Sequence, residues 1–175
     1  MSIKSMKPVP QHHKDIFRHL GAKFPPPADV FTYLNNQNKC PIPIAHYGAT
    51  GNRFYSTIGV CDMTLPIPAG RFEFAAFGKL SWLPNALASS IYWLKGRRVK
   101  DWPLVCEDVV KHNTKSTYRH MAYVPSQYSF SPSAKGAVHW LLGVPITDSE
   151  ISLDFEEALA KSIKAFPKWL TNKAS

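Results

Sequence analysis

The stretch that decides the fold is Val138-His139-Trp140-Leu141-Leu142-Gly143-Val144-Pro145-Ile146-Thr147-Asp148-Ser149-Glu150, VHWLLGVPITDSE. Residues 137 to 144 are apolar almost without interruption, which suits a central strand buried on both faces rather than a strand with one wet side. Pro145 removes a ladder donor and ends the run. Thr147 and Glu150 then stand three apart, the spacing of a capping box, where each side chain satisfies an orphan backbone N–H of a starting helix. No nucleophile, phosphate loop or metal ligand set stands at this strand-to-helix junction. The stretch therefore predicts structure and not chemistry.

Working outward, Phe155, Leu159, Ile163 and Phe166 supply the apolar face of a last helix, with Pro167 helping to end it. That helix starts either at the Thr147 box or at Asp154 with Glu157. Upstream, Arg71-Phe72-Glu73-Phe74-Ala75-Ala76-Phe77 alternates, with Phe72 and Phe74 on one face and Arg71 and Glu73 on the other, predicting a strand with one covered face. Leu83, Leu87, Ile91 and Leu94 fall at spacings of four, four and three, which predicts a helix over 83–94. Phe54 to Val60 is rich in β-branched and aromatic residues and reads as a strand. Gly48 to Asn52 before it reads as a hairpin connection.

The N-terminal third is punctuated by proline. Lys14 to Leu20 carries Ile16, Phe17 and Leu20 at helical spacing, with Gly21 placed as the stop. Phe24-Pro25-Pro26-Pro27 forces an extended turn and Pro41-Ile42-Pro43 reads as a second rigid connector. Ile44 to Tyr47 then reads as an edge strand. Residues 102–110 fit either a strand end or a short helix. Met121 to Val124 reads as a short strand before Pro125, and Tyr128 to Ser133 as a loop.

The length of 175 residues suits one domain able to bury a full core without disulfides or metals. With 45% hydrophobic residues, 5 Trp and 10 Phe, the chain is expected to fold. No stretch approaches the roughly 18 to 20 apolar residues of a membrane span, so no membrane partner is expected. The start, MSIKSMKPVPQHHKD, is basic but lacks a following apolar core, so no secretory leader is expected. Cys40, Cys61 and Cys106 are odd in number and widely spaced, as expected of reduced thiols in a cytoplasmic protein.

The search for chemistry finds no nucleophile elbow, phosphate loop, dinucleotide fingerprint or zinc-protease helix motif. His12 and His13, with His19, come nearest to a metal cluster. Adjacent side chains diverge and no cysteine stands nearby in sequence, so no metal is expected. His139 reads as a structural histidine inside the buried strand, and a Cys61–His139 pair lacks any sequence support for contact. His46 and His120 lie beside strands without an assigned role. The expectation is a non-enzyme with no cofactor.

The net charge of +9 is the unusual bulk feature. Its densest cluster is Lys95-Gly96-Arg97-Arg98-Val99-Lys100, whose cations complement the C-terminal end of the preceding helix. A solvated loop closing that helix is the favoured reading of the cluster over a phosphate-binding patch, and Arg97, Arg98 and Lys100 are the candidate residues if it binds a partner. An alternative reading is a basic nucleic-acid-associated protein, with Tyr118, Tyr123, Tyr128 and Phe130 as a stacking surface flanked by Lys111, Lys115 and Arg119.

Three stretches together resemble the suppressor of fused family. Tyr55 to Met63 is similar to the family's strand entering a segment with Thr57 and Gly59. Arg71 to Phe77, followed by Trp82-Leu83-Pro84 and a helix, is similar to its strand with Arg71 and Glu73. Val138 to Glu150 is similar to its strand that ends in a proline, threonine and glutamate junction. The resemblance implies an α+β domain, with a mixed, mainly antiparallel sheet and helices packed against it, over residues 44–175. Residues 1–43 add a helix and a proline-rich connector to the same domain. It also implies protein binding rather than turnover. Animal members sequester transcription factors in Hedgehog signalling, and compact bacterial members act as immunity proteins that neutralise toxins, nucleases included. With no room for the animal proteins' second domain, the compact bacterial type is expected, with a toxin as partner. The resemblance carries no catalytic or binding residue onto a numbered position.

Overall fold

The computed structural model describes residues 8–35, 38–99, 101–111, 113, 115–132, 135–152 and 155–172. Seven strands form one sheet in the order β1-β2-β3-β4-β7-β6-β5: β1 (Ala28–Asn35), β2 (Asn38–Tyr47), β3 (Arg53–Thr57), β4 (Phe72–Gly78), β5 (Leu104–Cys106), β6 (His120–Phe130) and β7 (Val138–Ile146). Only the central β4–β7 pair is parallel, with Phe74 opposite Leu141; the other pairs are antiparallel. Helices α1 (Gln11–Gly21), α2 (Leu83–Leu94), α3 (Asp148–Ser152), α4 (Phe155–Ile163) and α5 (Lys168–Thr171) pack against it. The architecture is the expected α+β domain with a mixed, mainly antiparallel sheet.

The central strand behaves as its apolar run predicts. β7 is hydrogen-bonded on both edges and covered on both faces. Val138, Trp140, Leu142, Val144 and Ile146 point into the core under α1, α4 and α5, together with Ile16, Leu20, Phe166 and Leu170. Leu141 points the other way, into the core under α2, with Phe74, Leu87, Ile91 and Tyr123. Gly143 lies opposite Tyr123 in the ladder. A Cβ there would meet the Tyr123 ring at 2.4 Å, so this glycine is the slot in which the ring lies. Helix α2 spans Leu83 to Leu94, the predicted bounds, and its stripe is buried.

The capping box forms as predicted. Thr147 N–H donates to Glu150 Oε2 at 2.8 Å and Glu150 N–H donates to Thr147 Oγ1 at 3.2 Å. Helix α3 is five residues long and α4 starts at Phe155; the alternative start at Asp154 lies outside the described residues. Replacing Thr147 by Ala is expected to cost about 1 kcal/mol in urea unfolding and to leave partner binding unchanged.

Four expectations are corrected. Pro41-Ile42-Pro43 is no connector but the first half of β2. Pro43 is tolerated because its carbonyl accepts from Ile58 N–H at 3.0 Å, just past the last β3 residue, and its missing donor falls where that ladder has ended. Ile44 to Tyr47 is interior rather than edge, because β1, which no sequence pattern announced, pairs outside it. Residues 128–130 belong to β6 and not to a loop. The strand continues past Pro125 through an irregularity and re-pairs Ser129 with His139. Last, β4 is covered on both faces: Glu73 is 0% exposed. Two open or approximate readings are also settled. Leu104 to Cys106 is a strand, and the Phe54–Val60 run leaves the ladder at Thr57 for a 3-10 turn, Val60–Asp62.

Candidate functional site

Thr57 and Gly59, from one of the stretches read in the sequence, meet Glu73, from another. Thr57, at the end of β3, donates its hydroxyl to Glu73 Oε2 and accepts the Phe74 N–H at 2.8 Å. Glu73 also accepts backbone N–H groups from Gly59 at 2.7 Å, Val60 at 3.2 Å and Cys61 at 3.2 Å. A carboxylate from the centre of the sheet thus satisfies the orphan donors of the 3-10 turn. Burial raises the Glu73 carboxyl above the usual range, and the four donors only partly offset it.

The far end of the same turn presents Asp62. Its Oδ1 accepts from Arg71 Nη2 at 2.8 Å, and its Oδ2 faces both His12 Nε2 and His13 Nε2, the latter at 2.8 Å. Burial alone would raise the Asp62 carboxyl, but the hydrogen bonds from His12, His13 and Arg71 prevail and hold it well below the usual carboxylate range. Arg71 also donates to the Gly136 carbonyl at 3.1 Å, tying β4's entrance to the segment before β7. Gly59, at φ +96, is the floor under His13: a Cβ there would meet the imidazole at 2.5 Å. Asp62 is the functional candidate that sequence reasoning missed. It lies 50 positions from His12, so no local motif joins them.

The expected divergence of His12 and His13 does not hold at their tips. Near the start of α1 one ring is buried and the other half-buried. They meet edge to face with centroids 4.3 Å apart, and both aim at Asp62. His19 is elsewhere, stacked on Phe130 at 3.9 Å and hydrogen-bonded to Tyr128. Burial, with Lys23 nearby, lowers its pKa.

The remaining histidines are structural in their contacts. His120 accepts the Asp108 N–H on Nδ1 at 3.0 Å and meets Asp148 Oδ1 through Nε2 at 2.8 Å; the first contact places the proton on Nε2. His46 meets the Tyr33 hydroxyl at 3.1 Å. Cys61 and His139 are not brought together. Cys61 belongs to the core under α1, with its thiol 3.6 Å from Arg71 Nη2, while His139 lies on the opposite face near the Phe72 ring. Burial pushes the Cys61 thiol far up, and pushes Cys106 up to about 12, so neither is an activated nucleophile.

The basic cluster projects from the end of α2. Arg97 and Arg98 are exposed, and Arg97 lies over the Trp93 ring at 4.2 Å. With Thr64, Leu65, Pro66, Lys95 and Gly96 they line a shallow groove of about 470 Å³. Lys100 lies outside the described residues. The four aromatics considered for stacking do not share a face. Tyr123 is fully buried, and Tyr118 packs with it on the α2 side, while Tyr128 and Phe130 pack on the α1 side.

A second surface lies at the other edge of the sheet. Among the described residues β1 pairs in the sheet only with β2 and forms its edge. It exposes Val30 (49%), Phe31 (51%) and Leu34 (69%), the largest exposed apolar side chains of the sheet among the described residues. Beside it, Tyr33 and Leu34 border a groove of about 580 Å³ that continues across Trp82, Asn85, Ser89 and Tyr92 of the α2 segment. Tyr92 closes its floor by donating to the Cys40 carbonyl at 2.6 Å.

Among the described residues no helix is long and apolar enough to cross a membrane. Comparison with known proteins yields no match to a family model, a curated protein or a solved structure.

Proposed function

We propose that this chain is a cytoplasmic, non-catalytic protein-binding domain that neutralises a partner toxin by binding it. One observation carries the reading: β1 is an edge strand of the sheet, with Val30, Phe31 and Leu34 open to solvent. An exposed apolar edge is a template for pairing with another chain, and proteins that do not use one usually blunt it with charge or cover it. Here only Asp29 supplies charge along the described strand. A partner segment added to β1 would gain main-chain hydrogen bonds, and its side chains would reach the groove beside Tyr33 and Trp82. An interface of standard size, roughly 1,200–2,000 Å², would cover both. The net charge of +9 favours an acidic toxin surface and speeds association at low salt. The meeting of Thr57 and Gly59 with Glu73 supports the family resemblance, since motifs from two of its three stretches serve one structural junction.

The test is a pull-down from the source cells with nuclease treatment and a salt series, run in parallel with a Phe31→Glu/Leu34→Glu variant. The expected result is one protein retained stoichiometrically by the wild type, lost by the variant, and inhibited in its own activity by the wild-type chain. Two buried charges in such an interface are expected to weaken binding at least a hundredfold. Retention of nucleic acid alone would establish the alternative, a basic nucleic-acid-associated protein. A wild-type dimer that the variant abolishes would make β1 a self-interface instead.

A further inference from the structure

The geometry points to a divalent metal site, of zinc type, formed by His12, His13 and Asp62. Three potential ligand atoms, one from each residue, lie within 4.8 Å of one another. Two imidazole nitrogens converge on a single carboxylate oxygen, Asp62 Oδ2. Without a metal, that oxygen must accept from both rings at once. A zinc ion bound at about 2.0–2.1 Å would hold its ligand atoms about 3.4 Å apart in a tetrahedral arrangement. The His13–Asp62 separation of 2.8 Å reaches this by a small opening of the cluster.

Two features outside the three ligands favour a built site over a chance meeting. Arg71 holds Asp62 by Oδ1 and so turns Oδ2 toward the histidines, the orienting role that outer hydrogen bonds play around metal ligands. Gly59 leaves room for the His13 ring where a side chain would displace it. Two imidazoles with one carboxylate select a borderline transition ion and disfavour magnesium and calcium, which prefer all-oxygen shells. The Arg71 guanidinium, salt-bridged to the same carboxylate at 2.8 Å, repels a cation and limits the affinity. A dissociation constant on the order of micromolar is therefore expected rather than the far tighter binding of thiolate sites. The bound ion would fasten the start of α1 to the 3-10 turn, two segments 50 positions apart, and leave one coordination position to water.

The experiment is calorimetric titration of the full chain with zinc chloride in a non-chelating buffer, repeated on His13→Ala, Asp62→Asn and, as control, His120→Asn. The expected result is one zinc per chain, at least tenfold weaker binding in His13→Ala and Asp62→Asn, and unchanged binding in His120→Asn. Zinc at a hundred times its dissociation constant should also raise the melting temperature by about 5–10 °C. If Asp62→Asn is not folded by circular dichroism, His13→Ala, which alters a half-buried ring, carries the comparison alone. Absence of saturable binding at one equivalent, or equal binding in wild type and His13→Ala, overturns the site.

Discussion

Replacing Glu73 by Ala is expected to remove about 3–5 kcal/mol of folding stability, measured by urea unfolding at constant pH. The side chain is 0% exposed and is the shared acceptor for the Thr57 hydroxyl and three backbone N–H groups of the 3-10 turn. Each buried donor left without a partner costs about 1–3 kcal/mol, and a water admitted to the vacated space would recover part of this.

The pH dependence has a definite sign. Burial raises the Glu73 carboxyl in the folded chain. The stability associated with its protonated form is then fully present below the ordinary glutamate range and is lost as pH rises through the folded value. The gap in unfolding free energy between wild type and Glu73→Ala should narrow as pH rises from 4 toward neutrality. A gap that widens would mean that the four donors outweigh desolvation and the carboxylate is the native form.

Trp140→Ala is expected to cost about 3–5 kcal/mol, of a total that for such domains is about 5–15 kcal/mol. Trp140 is the largest of the fully buried side chains. It stands on β7 at the middle of the core under α1, with Tyr128 alongside at 5.8 Å. Its indole N–H donates to Ser56 Oγ at 3.0 Å, tying β7 to β3 across the intervening β4. No neighbouring element is free to collapse into the vacated volume, because the sheet is fixed on both edges of β7. Far-UV circular dichroism in urea reads the loss without relying on the removed fluorophore. Trp140→Phe keeps most of the volume and gives up the hydrogen bond, so its cost should fall to about 1–2 kcal/mol.

The elements that sequence reading placed correctly share one property: their burial is uniform along the element. Helix α2 keeps one stripe against the sheet for its whole length, so Leu83, Leu87, Ile91 and Leu94 mark it from end to end. β7 is buried on both faces and reads as an unbroken apolar run. The Thr147–Glu150 box is equally local, because both partners lie within one turn. β1 failed for the converse reason. Its residues are mostly exposed on both faces, so ADVFTYLN carries no alternation, and Pro41 and Pro43 disguised its partner strand as a connector. Glu73 was assigned to a wet face because alternation with Phe72 and Phe74 reports chemical type, and a carboxylate satisfied by four donors can be buried.

The candidate sites divide along the same line. Arg97 and Arg98 were legible because they adjoin each other in sequence and stay in solvent. The His12–His13–Asp62 cluster was not, since it needs α1 to lie across the 3-10 turn and Arg71 to orient the carboxylate. The sequence by itself determined the local elements, the central strand, the helix cap and the basic charge, because propensity, periodicity and capping act within a few residues. The tertiary structure decided which edge stays open, which carboxylate is buried and which histidines share a partner. Those outcomes depend on how separate elements pack, and no local pattern records the distance between residues 12 and 62.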